Sequence, residues 1–399
     1  MIAVLLASLA FGVDLEEARA AAAERAAEVE IARAQADAAR ARAQALSGQA
    51  LPELVGFADV TVGSGYTAIG FERPVPWQAG VGVRGTWRLV DPSVWAAASA
   101  ARRTARGQES MLAWSRVQAR QQVTEAYAQV QGQAAIAERL TANAQDAERA
   151  WKAIEELVKA GLRPPADAAR ARADALDLAA LAVSARGEAR ASCATLQGLM
   201  AVEVTGDCEV DPVDWASQRP GEGPEVHPAL QALIEAESAA KAQAHGAAWT
   251  HLPGITASGT AAQYAVPERT GPGWSATVSL DVPLTVVTSG RGEIAAAQAD
   301  RVRAQAEVDQ QARDLAVAGV QSRVRLQAAT EGLAARRAGL QASEQAWERV
   351  DARFDQGLES LTTWLAARRA RIDAEVALAR AETELGAALA AVEAARGVL

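Results

Sequence analysis

Three histidines and two cysteines are all that the 399-residue chain holds of the side chains that most often ligate metals or attack substrates. His227, His245 and His251 are not spaced as a metal motif, and no carboxylate or cysteine pattern accompanies them. They read as turn, helix and junction residues. No glycine-rich loop is present to cradle a phosphate. The sequence therefore predicts no enzyme, no metal and no cofactor. Cys193 and Cys208 do not form a CxxC pair. In an oxidising compartment they could close a loop worth on the order of 3 kcal/mol. Two buried thiols are the alternative.

The elements that would position such residues are mostly helical. Half of the residues are hydrophobic, yet many are alanine and only 4% are aromatic. Alanine favours long, closely packed helices and gives little bulk for a globular core. The formal charge is -9, and the basic residues are scattered rather than clustered, so nucleic acid is not an expected partner. Residues 1–12, "MIAVLLASLAFG", form a short apolar run ending in small residues, the pattern of a secretory signal peptide. No later run reaches the roughly 20 apolar residues of a membrane-spanning helix.

Beyond that run the chain repeats one plan. A helical pattern covers 14–49, strand-like pieces follow around 57–70 and 80–90, and "DPSVWAAASAARR" opens a helix with Asp91 as its cap. That helix extends to a break at Gly161, and another covers 165–199. A polar segment, 204–227, separates this first repeat (13–203) from a second (228–399). The second has a helix over 228–249, strand-like pieces near 254–264 and 273–283, a helix to Gly357 and a last helix over 359–396. Two of these helices approach 70 residues, roughly 100 Å at 1.5 Å per residue. Unbroken periodicity of that length predicts an extended bundle, coiled coil or helical barrel.

The strand-like pieces are one-sided. Trp274, Ala276, Val278, Leu280 and Val282 alternate with Ser275, Thr277, Ser279 and Asp281. Val81, Val83, Trp87 and Leu89 likewise share a face, opposite Arg84, Thr86 and Arg88. These apolar sets are the expected lipid-facing residues. Four strands cannot close a barrel, an open edge is not tolerated in lipid, and the smallest outer-membrane barrels have eight strands. Membrane insertion thus demands more than one copy of the chain.

The order of these pieces resembles the TolC family of outer membrane efflux proteins. "VDLEEARAAAAER", "LPEL", "HLPGI", "WRLVDPSVWAAASAARR", "VSLDVPLTVVTSGRGEIAAAQAD" and "HPALQALIEAESAAKAQ" resemble its helix starts and its entries to and exits from strands. "YAQV" resembles part of its first long helix, and the stretch from "ARFDQGLESLTTW" onward its last hairpin. The resemblance implies a mainly α fold with a small β part. In it, a homotrimer forms a periplasmic α-barrel, and four strands per subunit build a shared 12-stranded transmembrane β-barrel. It also implies an outer-membrane location, with periplasmic adaptor (membrane fusion) proteins, inner-membrane RND or ABC transporters and outer-membrane lipids as partners. The function it implies is the passive exit duct of a tripartite efflux or type I secretion system.

Carried over by position, Gly161 with Leu162 and Gly357 with Leu358 match the family's hairpin tips, which adaptors grip. Glycine there can adopt the positive φ a tight turn needs. Asp167 matches one of the aspartates that constrict the resting channel. The corresponding positions of the second hairpin hold Thr363 and Ala366, so the acidic ring is incomplete. The rival is a secreted trimeric coiled-coil scaffold or adhesin without channel activity, which accounts for the helices but gives the one-sided strands no task.

Overall fold

The computed structural model describes residues 13–66, 75–249, 253–266, 269–282 and 289–398. Residues 1–12, His251 and the stretch 67–70 lie outside these. The chain runs α1 (Leu15–Arg25), α2 (Ala27–Gly48), β1 (Glu53–Tyr66), β2 (Val75–Val90), α3 (Pro92–Lys159), α4 (Pro165–Leu199), α5 (Pro228–Trp249), β3 (Gly254–Val266), β4 (Arg269–Asp281), α6 (Ser289–Asp355) and α7 (Leu361–Arg396). Asp91 caps α3, its Oδ1 accepting from the Ser93 and Val94 amides. Among the described residues no helix is long and apolar enough to cross a membrane.

Three boundaries differ from those expected of the sequence. The 14–49 pattern is two helices, separated at Ala26, which has extended backbone (ψ 137°). No breaker residue stands there. Ala26 packs on the same core cluster as Ala22 and Val29, so tertiary packing overrides a favourable local propensity. The strands have 13 to 16 residues rather than about ten. Val282 lies just beyond the end of β4.

The chain forms two compact units. One comprises the described residues up to Ile31, Leu112–Pro228 and the described residues from Arg313 onward. Its core is helical and dominated by small side chains: Ala18 and Ala22 of α1, Val123 and Tyr127 of α3, Leu196 of α4 and Leu385 of α7 are buried together. Close approach replaces bulk. A Cβ on Gly386 would come 2.7 Å from the Ala128 Cβ and 3.0 Å from the Trp215 ring, so α7 meets α3 there only through glycine.

The polar segment after α4 is strapped to this core at several points. A disulfide joins Cys193 to Cys208, with Cα atoms 5.9 Å apart. The buried Gln197 accepts from the amides of Thr205 and Gly206 and donates to the Asp207 carbonyl, each at 3.0 Å. The Tyr127 hydroxyl lies 2.7 Å from the Val13 carbonyl and 2.8 Å from that of Asp211, able to donate to either. Gln131 donates to the Val213 carbonyl and accepts from the Trp215 indole.

The other unit comprises Ala32–Met111 and Ala229–Ala312 and contains the sheet. Its strands are antiparallel in the order β1-β2-β3-β4.

Candidate functional site: a one-sided sheet and two matched turns

Register decides what each face of the sheet presents. Val83 pairs with Gly56 on β1 and Ala261 on β3, and Ala261 pairs with Trp274 on β4. Two residues along, Gly85 pairs with Leu54 and Gly259, and Gly259 with Ala276. Because paired residues share a face, Val60, Val81, Val83, Trp87, Trp274, Ala276, Val278 and Leu280 all project from one side. Gln263 and Thr270 are the polar residues at described positions of that face. It is exposed: Trp274 retains 74% of its accessible surface, Val278 72% and Val60 70%. Leu89 has the parity of Trp87 and is also exposed, beside a register shift at Val90.

The opposite face carries Glu53, Asp59, Arg84, Arg88, Thr256, Ser275, Thr277, Ser279 and Asp281. Arg84 lies 4.9 Å from the Phe57 ring centroid, so one of the two aromatic residues of this side, Phe57 rather than Tyr264, is covered by a charge. β1 and β4 form the two ends of the sheet, each paired on one side among the described residues. A one-sided apolar sheet with two open edges satisfies its backbone in lipid only by joining further strands.

The hairpin turns are the second feature. Gly161 has φ +74° and Gly357 φ +73°. At both, the glycine amide donates three residues back, to Val158 or Phe354, and the following leucine amide donates five back, to Leu157 or Arg353, each at 2.9 Å. This is the Schellman helix stop, built identically twice. A Cβ on either glycine would meet nothing within 4 Å, so only the left-handed backbone demands glycine. In such stops the residue after the glycine usually packs back on its helix. Here Leu162 is 72% and Leu358 64% exposed.

Above the turns, arginines interleave with aromatic rings. Arg163 lies 4.3 Å from the Phe354 centroid and 3.7 Å from an Asp167 carboxylate oxygen. Asp167 is thus paired within its own subunit, and its side chain is largely covered. Thr363 and Ala366 are exposed, and the Thr363 amide donates to Ser360, the cap of α7. Trp364 is buried against Phe354 and Trp347, its indole donating to Asp351 at 2.7 Å.

Arg368, one turn beyond Trp364 on α7, is 4% exposed. It donates to the Asn143 carbonyl at 2.8 Å and lies 3.8 Å from Asp174. Burial lowers the Arg368 pKa, and burial raises that of Asp174 despite the neighbouring Arg368 and Arg369. Arg371 donates to the Asn143 side chain, whose amide donates to Glu375. Asn143 therefore joins α3 to α7 as a hub, and its only sequence signal is an asparagine inside an alanine-rich helix. Among the described residues no group of three or more His, Cys, Asp or Glu is arranged to hold a metal.

Solved structures similar to this chain include outer-membrane proteins and channels. CmeC of Campylobacter jejuni aligns with a TM-score of 0.85 at 14% identity, covering 96% of this chain and 85% of that one. VceC of Vibrio cholerae gives 0.82 at 16% identity over 96% of each chain. The open state of MtrE from Neisseria gonorrhoeae gives 0.80 at 17% identity, over 96% of this chain and 88% of that one. At such identities the likeness is one of fold. No curated protein matches the chain by sequence. The family model for outer membrane efflux proteins matches residues 18–202 and 225–398, so the chain belongs to that family of TolC-type outer-membrane channels, passive conduits whose long helices extend into the periplasm.

Proposed function

We propose that this chain is the exit duct of a tripartite efflux or type I secretion system. It acts as a homotrimer in which each copy gives four strands to a 12-stranded β-barrel. The observation that carries the proposal is the sheet, whose apolar side is exposed on β1, β2 and β4, whose other side is mostly polar, and whose two edges are open. Closing those edges with two further copies hides every strand edge and turns the charged face to a water-filled lumen. Exposed apolar residues at helical spacing, Val317, Val320 and Val324 on α6 and Leu176 and Val183 on α4, suit packing between copies. A secreted scaffold would leave the apolar sheet face in water.

In this reading 13–203 and 228–399 act as the two structural repeats, joined by 204–227, and residues 1–12 direct export. Gly161, Leu162, Gly357 and Leu358 form the tips that a periplasmic adaptor grips. The exposed leucines supply apolar contact, and the adaptor links the duct to an inner-membrane RND or ABC transporter. Asp167 contributes to the constriction once its pair with Arg163 opens. Purified protein in planar bilayers tests the duct. Discrete conductance steps from a cross-linkable trimer are expected, and a monomer without conductance would end the proposal. Gly357→Leu should weaken adaptor pull-down while leaving the isolated pore's ion selectivity unchanged.

A further inference from the structure

Just below the sheet, α2 and α3 enclose a groove of about 850 Å³ whose lining includes Arg40, Arg102, Arg103 and Arg106 with Ser47 and Ser99, and no acidic residue. Arg40 pairs with Asp37 and Glu109, and Arg106 lies 3.6 Å from Glu235. Arg102 and Arg103 form no ion pair or hydrogen bond among the described residues. Two guanidinium groups without a carboxylate partner, lining one groove with two hydroxyls and further arginines, supply the charge and the donors of an anion site.

The groove's position identifies the anion's source. Its upper end is Leu51, adjoining β1. The indole of Trp87, a residue of the apolar sheet face, donates to the Ala50 carbonyl at 3.2 Å. That bond puts the Ala50 carbonyl, two residues past the end of α2 and beside the groove residue Leu51, against a side chain of the apolar face rather than the charged one. Trp95 is exposed about two turns before Arg102 on the same face of α3, where an interfacial tryptophan sits. Side chains lean toward their helix's N terminus, so the α3 arginines reach back toward the sheet. Ser99 lies about 10 Å along α3 from its first residue, close to the headgroup layer that adds roughly 5–8 Å beyond the hydrocarbon on each side.

We infer that this groove binds the phosphate of an anionic phospholipid of the periplasmic leaflet, with an acyl chain rising past Leu51 and Trp87. The inference rests on the reading that the apolar face of the sheet lies in the bilayer. It adds a lipid site that would fix the depth of the barrel and the register of α2 against α3.

The full-length oligomer in neutral detergent is titrated with phosphatidylglycerol, phosphatidylcholine and inorganic phosphate, with bound lipid followed by native mass spectrometry. Phosphatidylglycerol should bind best, and Arg102→Gln with Arg103→Gln should weaken it by about tenfold or more. Arg313→Gln, an exposed arginine of α6, should leave it unchanged. Equal lipid binding by wild type and the double variant would overturn the site. So would equal retention of phosphatidylcholine, or displacement by equimolar phosphate, which would make it a free-phosphate site. Shielding of a Ser47→Cys thiol in the lipid-free oligomer but not in the denatured chain would assign the groove to a neighbouring copy instead. Urea extraction of membranes separates the two readings. A protein that urea strips from the membrane refutes insertion itself, whereas an embedded protein with no effect of the arginines refutes only the groove.

Discussion

The sheet and the helical core around Tyr127 use the same kinds of side chain in opposite ways. In the core, Val123, Tyr127 and Leu196 are essentially inaccessible. In the sheet, Trp274, Val278 and Leu280 each keep more than 60% of their surface. The core is an ordinary interior, stabilised by removing apolar area from water at about 25 cal/mol per Å². The sheet cannot gain in that way within one chain. In the proposed reading the medium against its apolar face is itself apolar, and the pleat separates lipid-facing from lumen-facing residues one by one. Apolar exposure, which would be a liability in a water-soluble sheet, is in that reading the functional surface.

Substitutions that move charge or volume between these regions should separate them. The largest effect is expected for Val278→Arg, which places a guanidinium on the lipid face of every copy. The cost is about 2–4 kcal/mol per chain near the bilayer midplane. Outer-membrane fractions should then lack the assembled oligomer. Thr277→Arg, one residue away on the polar face, should assemble normally. Equal loss from both would break the distinction between faces.

In the second helical cluster, where Leu178 packs with Leu140 and Ile372, Leu178→Ala should cost about 2–5 kcal/mol in chemical denaturation, because Leu178 is fully buried. Leu176→Ala on the same helix should cost far less in the monomeric unit, since Leu176 is 60% exposed.

A smaller effect distinguishes the strap on the polar segment. Tyr127→Phe removes one hydroxyl shared by the Val13 and Asp211 carbonyls and should cost about 1 kcal/mol at neutral pH. Burial first, then Asp211 and Asp14, push the Tyr127 pKa up from 10.0 to about 12. A group whose folded pKa exceeds its unfolded one stabilises fully below the unfolded value and loses that contribution as pH rises through the folded one. Wild type should therefore lose its advantage over Tyr127→Phe between pH 10 and 12, as seen in parallel melts.

The smallest change is Gly161→Ala or Gly357→Ala. Each opposes a left-handed φ in open space and should cost about 1 kcal/mol. A cost near zero at either turn would mean that the backbone is free to reshape there.

How much of this the sequence discloses depends on contrast between neighbours. Proline and glycine punctuate α4 and α5 so sharply that their limits, 165–199 and 228–249, follow from the residues alone. β4 is equally clear, because tryptophan and valine alternate with serine and threonine. β3 is not. Ala257, Gly259 and Ala261 differ too little from Ser258 and Thr260 to mark a face, and only pairing with β2 and β4 assigns one. The break at Ala26 is silent because packing imposes it.

The Asn143 hub and the buried Arg368 join residues more than 200 positions apart, beyond the reach of any local pattern. The pairing of Asp167 with Arg163 is an i,i+4 relation visible in principle. The approach of Arg163 to the Phe354 ring joins residues of the two turns and has no such local pattern.

The most direct test of the central claim is a cysteine scan of residues 274 to 280 in protein reconstituted into lipid, with the native Cys193–Cys208 pair retained. Each introduced thiol carries a spin label, and its relaxation is compared between membrane-soluble oxygen and a water-soluble nickel chelate. The account predicts strict alternation, with labels at 274, 276, 278 and 280 favouring oxygen and those at 275, 277 and 279 favouring nickel. A profile without period two, or one open to the nickel chelate throughout, would contradict it.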